Sequence, residues 1–186
     1  WCENHIRITG PREKLEPLFY TACEKLAKGE VDGILGVMLP RPTDSNLDEA
    51  SWQNIAWGSA SDMDLGDLDI TINGDTATIE GNADTIDNPP VVGIRYYAEA
   101  NPDITASIAY AATHSSDAGY FRFANGQKTE EQHFEMNDYI DWHSVPSVIR
   151  DRLPELERFY PRTEYKEADP MGGRDKQSFS RGPSFG

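Results

Sequence analysis

The chain has 186 residues, a length that suggests one domain with a hydrophobic core of its own. It carries 32 acidic and 17 basic side chains, which gives a formal net charge of −15 at pH 7. This balance disfavours direct binding to nucleic acid and to anionic membranes, because both are recognised through lysine and arginine.

The first predicted elements are a strand and a helix, which are separated by a Gly-Pro pair. Between residues 4 and 9, Ile6 and Ile8 alternate with polar residues, as in a strand with one buried face. From residue 11 to 28, apolar residues recur at helical spacing and predict an amphipathic helix. The short apolar run from Ile34 to Leu39 stops at a proline and is interpreted as a second strand.

A polar insertion and a hairpin follow these elements. Residues 43 to 67 are polar and irregular, which predicts an insertion. Leu68 to Ile79 then alternates on both sides of an Asn-Gly pair, and this pair favours the positive φ angles of a tight hairpin turn. A Pro-Pro pair opens the second predicted helix, from residue 89 to 100, which has an apolar face.

The last predicted elements complete an antiparallel arrangement. Alternation from residue 104 to 112 predicts a strand, and a second Asn-Gly pair predicts a hairpin over 120 to 134. A short helix is predicted within residues 144 to 152. The order of elements follows a split βαβ plan, in which two β-α-β units form one antiparallel sheet with both main helices on the same face.

This order divides the chain into three regions. Residues 1–136 form the predicted α+β domain, with the acidic insertion at about 43–67 and an extra hairpin at the end. Residues 137–169 are predicted to be a C-terminal extension with a short helix. Residues 170–186 are rich in Gly, Ser and Pro, and are predicted to be a flexible tail because they contain too little apolar surface to offset the entropy of ordering.

Cysteine content and hydropathy bear on the compartment. Cys2 and Cys23 are too few for the disulfide framework of a small secreted protein, and we expect both to be reduced thiols. No apolar run approaches the roughly 20 residues that cross a bilayer, and no secretory signal is visible. These features predict a cytoplasmic protein that has no disulfide and no zinc site.

The opening segment, Trp1 to Pro11, resembles the start of the YubB-type ferredoxin-like domain family. Members of that family begin with Trp-Cys, an Asn two residues on, an alternating strand and Gly-Pro. Leu39 to Pro42, Trp57-Gly58-Ser59 and Pro89-Pro90 resemble further elements of the family. The resemblance implies a ferredoxin-like fold in a protein carried by bacteriophages, prophages or plasmids, in the cytoplasm of a bacterial host. It implies no catalytic residues.

The acidic residues are segregated along the chain. No lysine or arginine lies between Arg41 and Arg95, whereas this stretch contains eleven acids. Concentrated like charges repel one another, which suggests that they are used to bind a basic surface. The alternative is that polar loops carry solvated charges without any partner. The predicted partner-binding residues are Asp62, Asp64, Asp67, Asp69, Asp75, Glu80, Asp84 and Asp87.

Three functions are weighed against these features. The favoured hypothesis is a non-enzymatic binding protein whose acidic surface occupies a basic site on a host protein, as an anti-defence inhibitor or nucleic-acid mimic. The first alternative is a nucleic-acid-binding module that uses the face of the sheet.

The second alternative is a metal-dependent hydrolase. Its candidate sites are the aspartates from Asp62 to Asp69 and the pair His133 and His143. A calcium loop of the EF-hand type would require an acid at Asn73, and the spacing of the histidines fits no standard metal site. No metal site and no cofactor are therefore predicted.

Overall fold

The structure is a computed structural model that describes residues 1–112, 117–135 and 145–152. Its first strand is β1 (Cys2–Pro11), whose side chains alternate between buried and accessible positions. Helix α1 (Arg12–Ala27) begins directly after the strand. Proline suits this junction, since its fixed φ angle is compatible with a helix start and its missing N–H is not needed there.

Two short helices follow, α2 (Leu35–Met38) and α3 (Glu49–Ala56). The prediction of a second strand at Ile34 to Leu39 is wrong, because α2 occupies these residues. A short apolar run is buried equally well as a strand or as a helical turn, and tertiary contacts decide between them. The insertion is also less irregular than predicted, since it contains α3, whose first turn is capped by the Asp48 carboxylate.

The remaining elements are mainly strands. They are β2 (Leu68–Asn73), β3 (Thr76–Thr85), α4 (Val91–Ala100), β4 (Thr105–Ala112), β5 (Asp117–Ala124), β6 (Gln127–Glu135) and α5 (Ser147–Arg150). The six strands form one open antiparallel sheet in the order β2-β3-β1-β4-β5-β6. The described residues therefore form an α+β structure with an antiparallel sheet, as the sequence predicted.

The main core lies on one face of the sheet, which we call the inner face. In β1, Ile8 lies opposite Ile79 of β3 on one side and Ala106 of β4 on the other. Buried residues of both α1 and α4, such as Leu15 and Ile94, belong to the same core as these strand residues. Both long helices therefore cover the inner face. Leu18, Phe19 and Leu26 of α1 are only partly buried, at the margin of this core.

The opposite, outer face of the sheet is covered only in part. Val145 and Ile149, before and within α5, pack against Ala111 and Tyr120 of β4 and β5 in a second, smaller cluster. Beside this cluster, β1, β3, β4 and β5 present polar side chains outward, as the alternating burial of β1 requires. The outer face is therefore the part of the sheet on which polar and charged groups meet.

Several predictions concern residues that lie outside the described part of the chain. They include the flexible tail at 170–186, most of the extension at 137–169, and His143. Within the described residues, no helix combines the length and apolarity needed to span a bilayer. Cys2 and Cys23 are both free, and burial raises the pKa of the Cys2 thiol to about 12, which keeps it un-ionised at neutral pH.

Candidate functional site

Three of the predicted partner-binding acids meet beside the start of β2. Asp64 and Asp67, in the loop before β2, and Asp84, in β3, line one hollow of about 110 Å³ together with Asn82 and Ala83. All three carboxylates are exposed. Among the described residues, no lysine, arginine or histidine forms an ion pair with any of them. We call Asp64, Asp67 and Asp84 the acidic patch.

The backbone brings the loop close to β3. Gly81 lies in β3 with a φ angle of +155°, and a Cβ atom on it would lie 1.9 Å from the carbonyl oxygen of Asp67. Only glycine therefore permits the loop to approach the strand this closely. The Asp64 carboxylate accepts a hydrogen bond from the Gly66 N–H at 2.9 Å, which fixes the turn ahead of Asp67. These two contacts position the acidic patch.

The other predicted acids are not gathered at the acidic patch. Asp69 lies on β2, Asp75 in the β2–β3 turn and Asp87 after β3, and all three are exposed. Glu80 is partly neutralised by Arg7, whose Nη1 lies 3.1 Å from its carboxylate, and Nε2 of His5 lies 3.3 Å from the same carboxylate. The structure therefore brings three of the eight predicted residues around one hollow and distributes most of the others over the β2–β3 region.

Asp62 is buried, so the prediction that it belongs to an exposed acidic surface is wrong. Its Oδ1 accepts the N–H groups of Leu35 and Met63, each at 2.7 Å, and its Oδ2 accepts the N–H of Gly36 at 2.8 Å. The carboxylate thereby satisfies backbone donors at the start of α2. An aspartate that caps a distant helix cannot be distinguished from an exposed aspartate by local sequence, because its partner lies 27 residues away.

Burial raises the pKa of Asp62 to about 6, although the three N–H donors act in the opposite direction. An aspartate in an unfolded chain has a pKa of about 3.9, so the folded protein binds this proton more tightly. The stabilisation that results is fully present below about pH 4 and is lost as the pH rises through about 6.

A pH series is expected to reveal this linkage. Between pH 7 and pH 4, the wild type should gain roughly 2–3 kcal/mol of unfolding free energy relative to Asp62→Asn, which cannot ionise. Urea denaturation of both proteins at four pH values measures the difference. A stability difference that stays constant across the series would show that Asp62 keeps an ordinary pKa.

The metal-site candidates do not gain support from the geometry. Within the described ranges, no three His, Cys, Asp or Glu side chains lie close enough together to hold a metal ion. Asp62 faces inward, away from the remaining aspartates of the proposed calcium loop. His133 lies 3.0 Å from the Glu131 carboxylate and 3.3 Å from Oη of Tyr110, contacts that account for its position in the sheet.

A larger hollow, of about 490 Å³, lies beside α2 and α3. Trp52 and Trp57 both line it, and their rings meet edge to face with centroids 5.2 Å apart. Trp57 also donates from Nε1 to the carbonyl oxygen of Leu39 at 3.3 Å. The two tryptophans therefore anchor the insertion by packing. The hollow has basic and acidic residues in its lining, such as Lys25 and Glu49, and so presents no single charge.

The outer face of the sheet carries a feature that the sequence did not reveal. A hollow of about 340 Å³ there is lined by Arg7, Thr9, Thr105, Ser107, Tyr120, Arg122 and Arg152. Its aromatic residue, Tyr120, is only 4% exposed, so its ring is not available for stacking on a nucleic-acid base. The signal that was missed is strand register, since the register of β1, β4 and β5 places Arg7 and Arg122 on either side of Ser107.

Comparison with known proteins leaves these geometries as the main evidence about function. The resemblance of the opening segment to the YubB-type family accordingly stays a prediction. No protein-family model, no curated protein and no solved structure gives a significant match to the chain.

Proposed function

We propose that this chain is a non-enzymatic binding protein that docks its acidic patch on a positively charged surface of a partner protein. The observation that supports this function is the convergence of Asp64, Asp67 and Asp84 on one hollow, where none of them forms an ion pair with another described residue. Adjacent carboxylates repel one another, and a basic side chain from outside relieves that repulsion.

The size of the hollow favours a protein partner over a small molecule. Its volume is about 110 Å³, whereas pockets for small ligands usually measure about 300–1,000 Å³. A hollow of this size accommodates the end of one lysine or arginine side chain. Further exposed acids nearby, Asp69 on β2 and Asp87 after β3, extend the negative field that would attract such a partner.

We further propose that the fold is of the ferredoxin-like type and that the partner is a host protein. The sheet order β2-β3-β1-β4, with α1 and α4 as the connecting helices, supports this fold because two βαβ units interleave in that way. The resemblance of Trp1 to Pro11 to the YubB-type family supports an origin in a bacteriophage, prophage or plasmid. In that setting, the chain acts as an anti-defence inhibitor or nucleic-acid mimic in the cytoplasm of a bacterium.

Reversing the charges of the acidic patch is expected to abolish this interaction. The triple variant Asp64→Lys, Asp67→Lys, Asp84→Lys should lower the affinity for the partner by roughly a hundredfold or more at low salt, because close like charges now face each other across the interface. The partner is first captured from a bacterial lysate with the wild-type chain and then purified. Its affinity for each variant is measured at two salt concentrations.

The matched control reverses three exposed acids that do not line the hollow, Glu30, Asp44 and Glu135. It changes the net charge of the chain by the same amount. We expect the control to keep the affinity within roughly threefold, since exposed charges beyond about 8–10 Å are screened at physiological ionic strength. Equal losses in both variants would indicate that the acids provide only a general negative charge, and the proposed interface would then be wrong.

A further inference from the structure

Three arginines converge on the outer face of the sheet, although the chain as a whole is strongly acidic. Arg7 of β1 lies opposite Ser107 of β4, and Ser107 lies opposite Arg122 of β5. Neighbouring strands are about 4.8 Å apart, so the two arginines flank Ser107 in one row across the sheet. Arg152, two residues after the end of α5, lines the same hollow.

Packing holds one of these arginines at the hollow. The guanidinium carbon of Arg152 lies 5.8 Å from the ring centroid of Tyr120, and this ring is itself buried under α5. A cation over an aromatic face is electrostatically favourable and restricts the arginine side chain. The side chain of Arg152 is accordingly only 29% exposed, whereas that of Arg7 is 49% exposed.

The nearby carboxylates neutralise this cluster only in part. Among the residues that the structure describes, none of those lining the hollow is acidic. Glu80 lies 3.1 Å from Arg7 but 4.0 Å from Arg152, so one carboxylate is shared by two guanidinium groups. Glu130 lies across from Arg122 in the sheet, yet it accepts a hydrogen bond from Gln132 at 3.1 Å and forms no ion pair with Arg122. Within the described part of the chain, the Arg122 guanidinium has no acidic partner.

The other side chains at the hollow are suited to oxygen-rich ligands. Thr9, Thr105 and Ser107 add hydroxyl groups to the three guanidinium groups, and every one of these groups is a hydrogen-bond donor. One planar guanidinium group can bind two oxygens of a phosphate at once, through two parallel N–H donors. From this donor set, we infer that the hollow binds a phosphate dianion, either as inorganic phosphate or as the phosphate group of a small phosphomonoester.

Two observations favour a small ligand over a nucleic-acid strand. The volume of about 340 Å³ lies within the range of small-molecule pockets. A nucleic-acid strand would need exposed aromatic rings for base stacking and a continuous basic groove for its phosphates. Here the Tyr120 ring is buried, and the net charge of the chain is −15. A single phosphate is bound by short-range contacts, which the distant acids oppose only weakly because they are screened.

Calorimetric titration of the full chain at low salt and pH 7.5 tests this inference. The probes are inorganic phosphate, adenosine 5′-monophosphate, dimethyl phosphate as a singly charged diester, and a single-stranded oligonucleotide without a terminal phosphate. We expect the first two to bind and dimethyl phosphate to bind roughly tenfold more weakly, because three guanidinium groups favour the doubly charged ion. The affinities of the first two probes relative to each other distinguish free phosphate from a phosphomonoester as the preferred ligand.

Arg122→Gln is expected to weaken phosphate binding by roughly tenfold or more, since it removes charge-assisted hydrogen bonds. The control is Arg12→Gln, which removes the same charge at an exposed arginine paired with Glu16 at 2.7 Å. Its phosphate affinity should equal that of the wild type.

The inference is overturned if phosphate does not bind at millimolar concentration, if both variants weaken binding equally, or if the oligonucleotide binds more tightly than phosphate and depends on Arg122. The triple variant of the acidic patch should retain phosphate binding, which separates this site from the proposed protein interface.

Discussion

Replacing Asp62 with alanine is expected to lower the free energy of unfolding by about 2–4 kcal/mol. The substitution removes the acceptor of three backbone N–H groups, those of Leu35, Gly36 and Met63, at a site where the carboxylate is only 7% exposed. A buried N–H that loses its partner costs about 1–3 kcal/mol, although the loss is offset in part because a buried charge is also removed.

Chemical denaturation measures this loss, and a neighbouring aspartate provides the control. Asp69 is exposed on β2 and has no ion pair among the described residues, so Asp69→Ala should change the stability by no more than about 0.5 kcal/mol. If Asp62→Ala is as stable as Asp69→Ala, the carboxylate of Asp62 does not hold α2 in place.

Replacing Gly81 with alanine is expected to have a comparable or larger effect, about 3–5 kcal/mol. The new Cβ atom would meet the Asp67 carbonyl oxygen at 1.9 Å and Leu68 Cα at 3.0 Å, and both are backbone atoms that cannot rotate away. The φ angle of +155° adds strain, since L-residues rarely adopt it. The loop before β2 must therefore move, and the acidic patch moves with it.

The β2–β3 turn provides a control that separates the clash from the backbone strain. Gly74 also has a positive φ, +61°, but a Cβ atom on it would meet nothing within 4 Å. Gly74→Ala should therefore cost only about 1–2 kcal/mol and leave partner binding unchanged. Denaturation and partner affinity are measured for both variants. Equal effects on stability and on binding would contradict the close approach of Asp67 to β3.

Most strands and the two long helices could be predicted from sequence because their signals are local. Ile6 and Ile8 alternate with polar residues, and the Asn125-Gly126 pair forms the β5–β6 turn with positive φ angles at both residues. The first hairpin turn lies one residue later than predicted, at Gly74-Asp75, because Asn73 still pairs with Thr76 at the end of β2. The apolar run at Ile34 to Leu39 is a different case. It contains neither alternation nor a full helical period, so its conformation depends on Asp62, a residue of another segment.

Less of the candidate sites could be predicted, because side-chain direction and strand register are tertiary properties. The alternating aspartates looked equivalent in sequence, yet Asp62 is buried while Asp64 is exposed. Arg7 and Arg122 are far apart in the chain and share a row only through Ser107. By contrast, the start of α3 has a signal in the sequence, because Asp48 is a favoured N-cap residue and is followed by the acidic Glu49. In the structure, the Asp48 carboxylate accepts the Ser51 N–H.

The central place of β1 in the sheet has a consequence for how the chain folds. Both neighbours of this strand are distant in sequence: Arg7 pairs with Glu80 of β3 and with Ser107 of β4. During synthesis at about 5–20 residues per second, β1 would wait roughly 4–14 s before β3 has been made. Its apolar side chains, Ile6 and Ile8, have no strand to pair with in that interval. The topology therefore implies slow folding, because β1 can pair only after contacts form between residues that are far apart in sequence. Until then, α1 is the one neighbouring element already made that can cover the exposed, aggregation-prone strand β1.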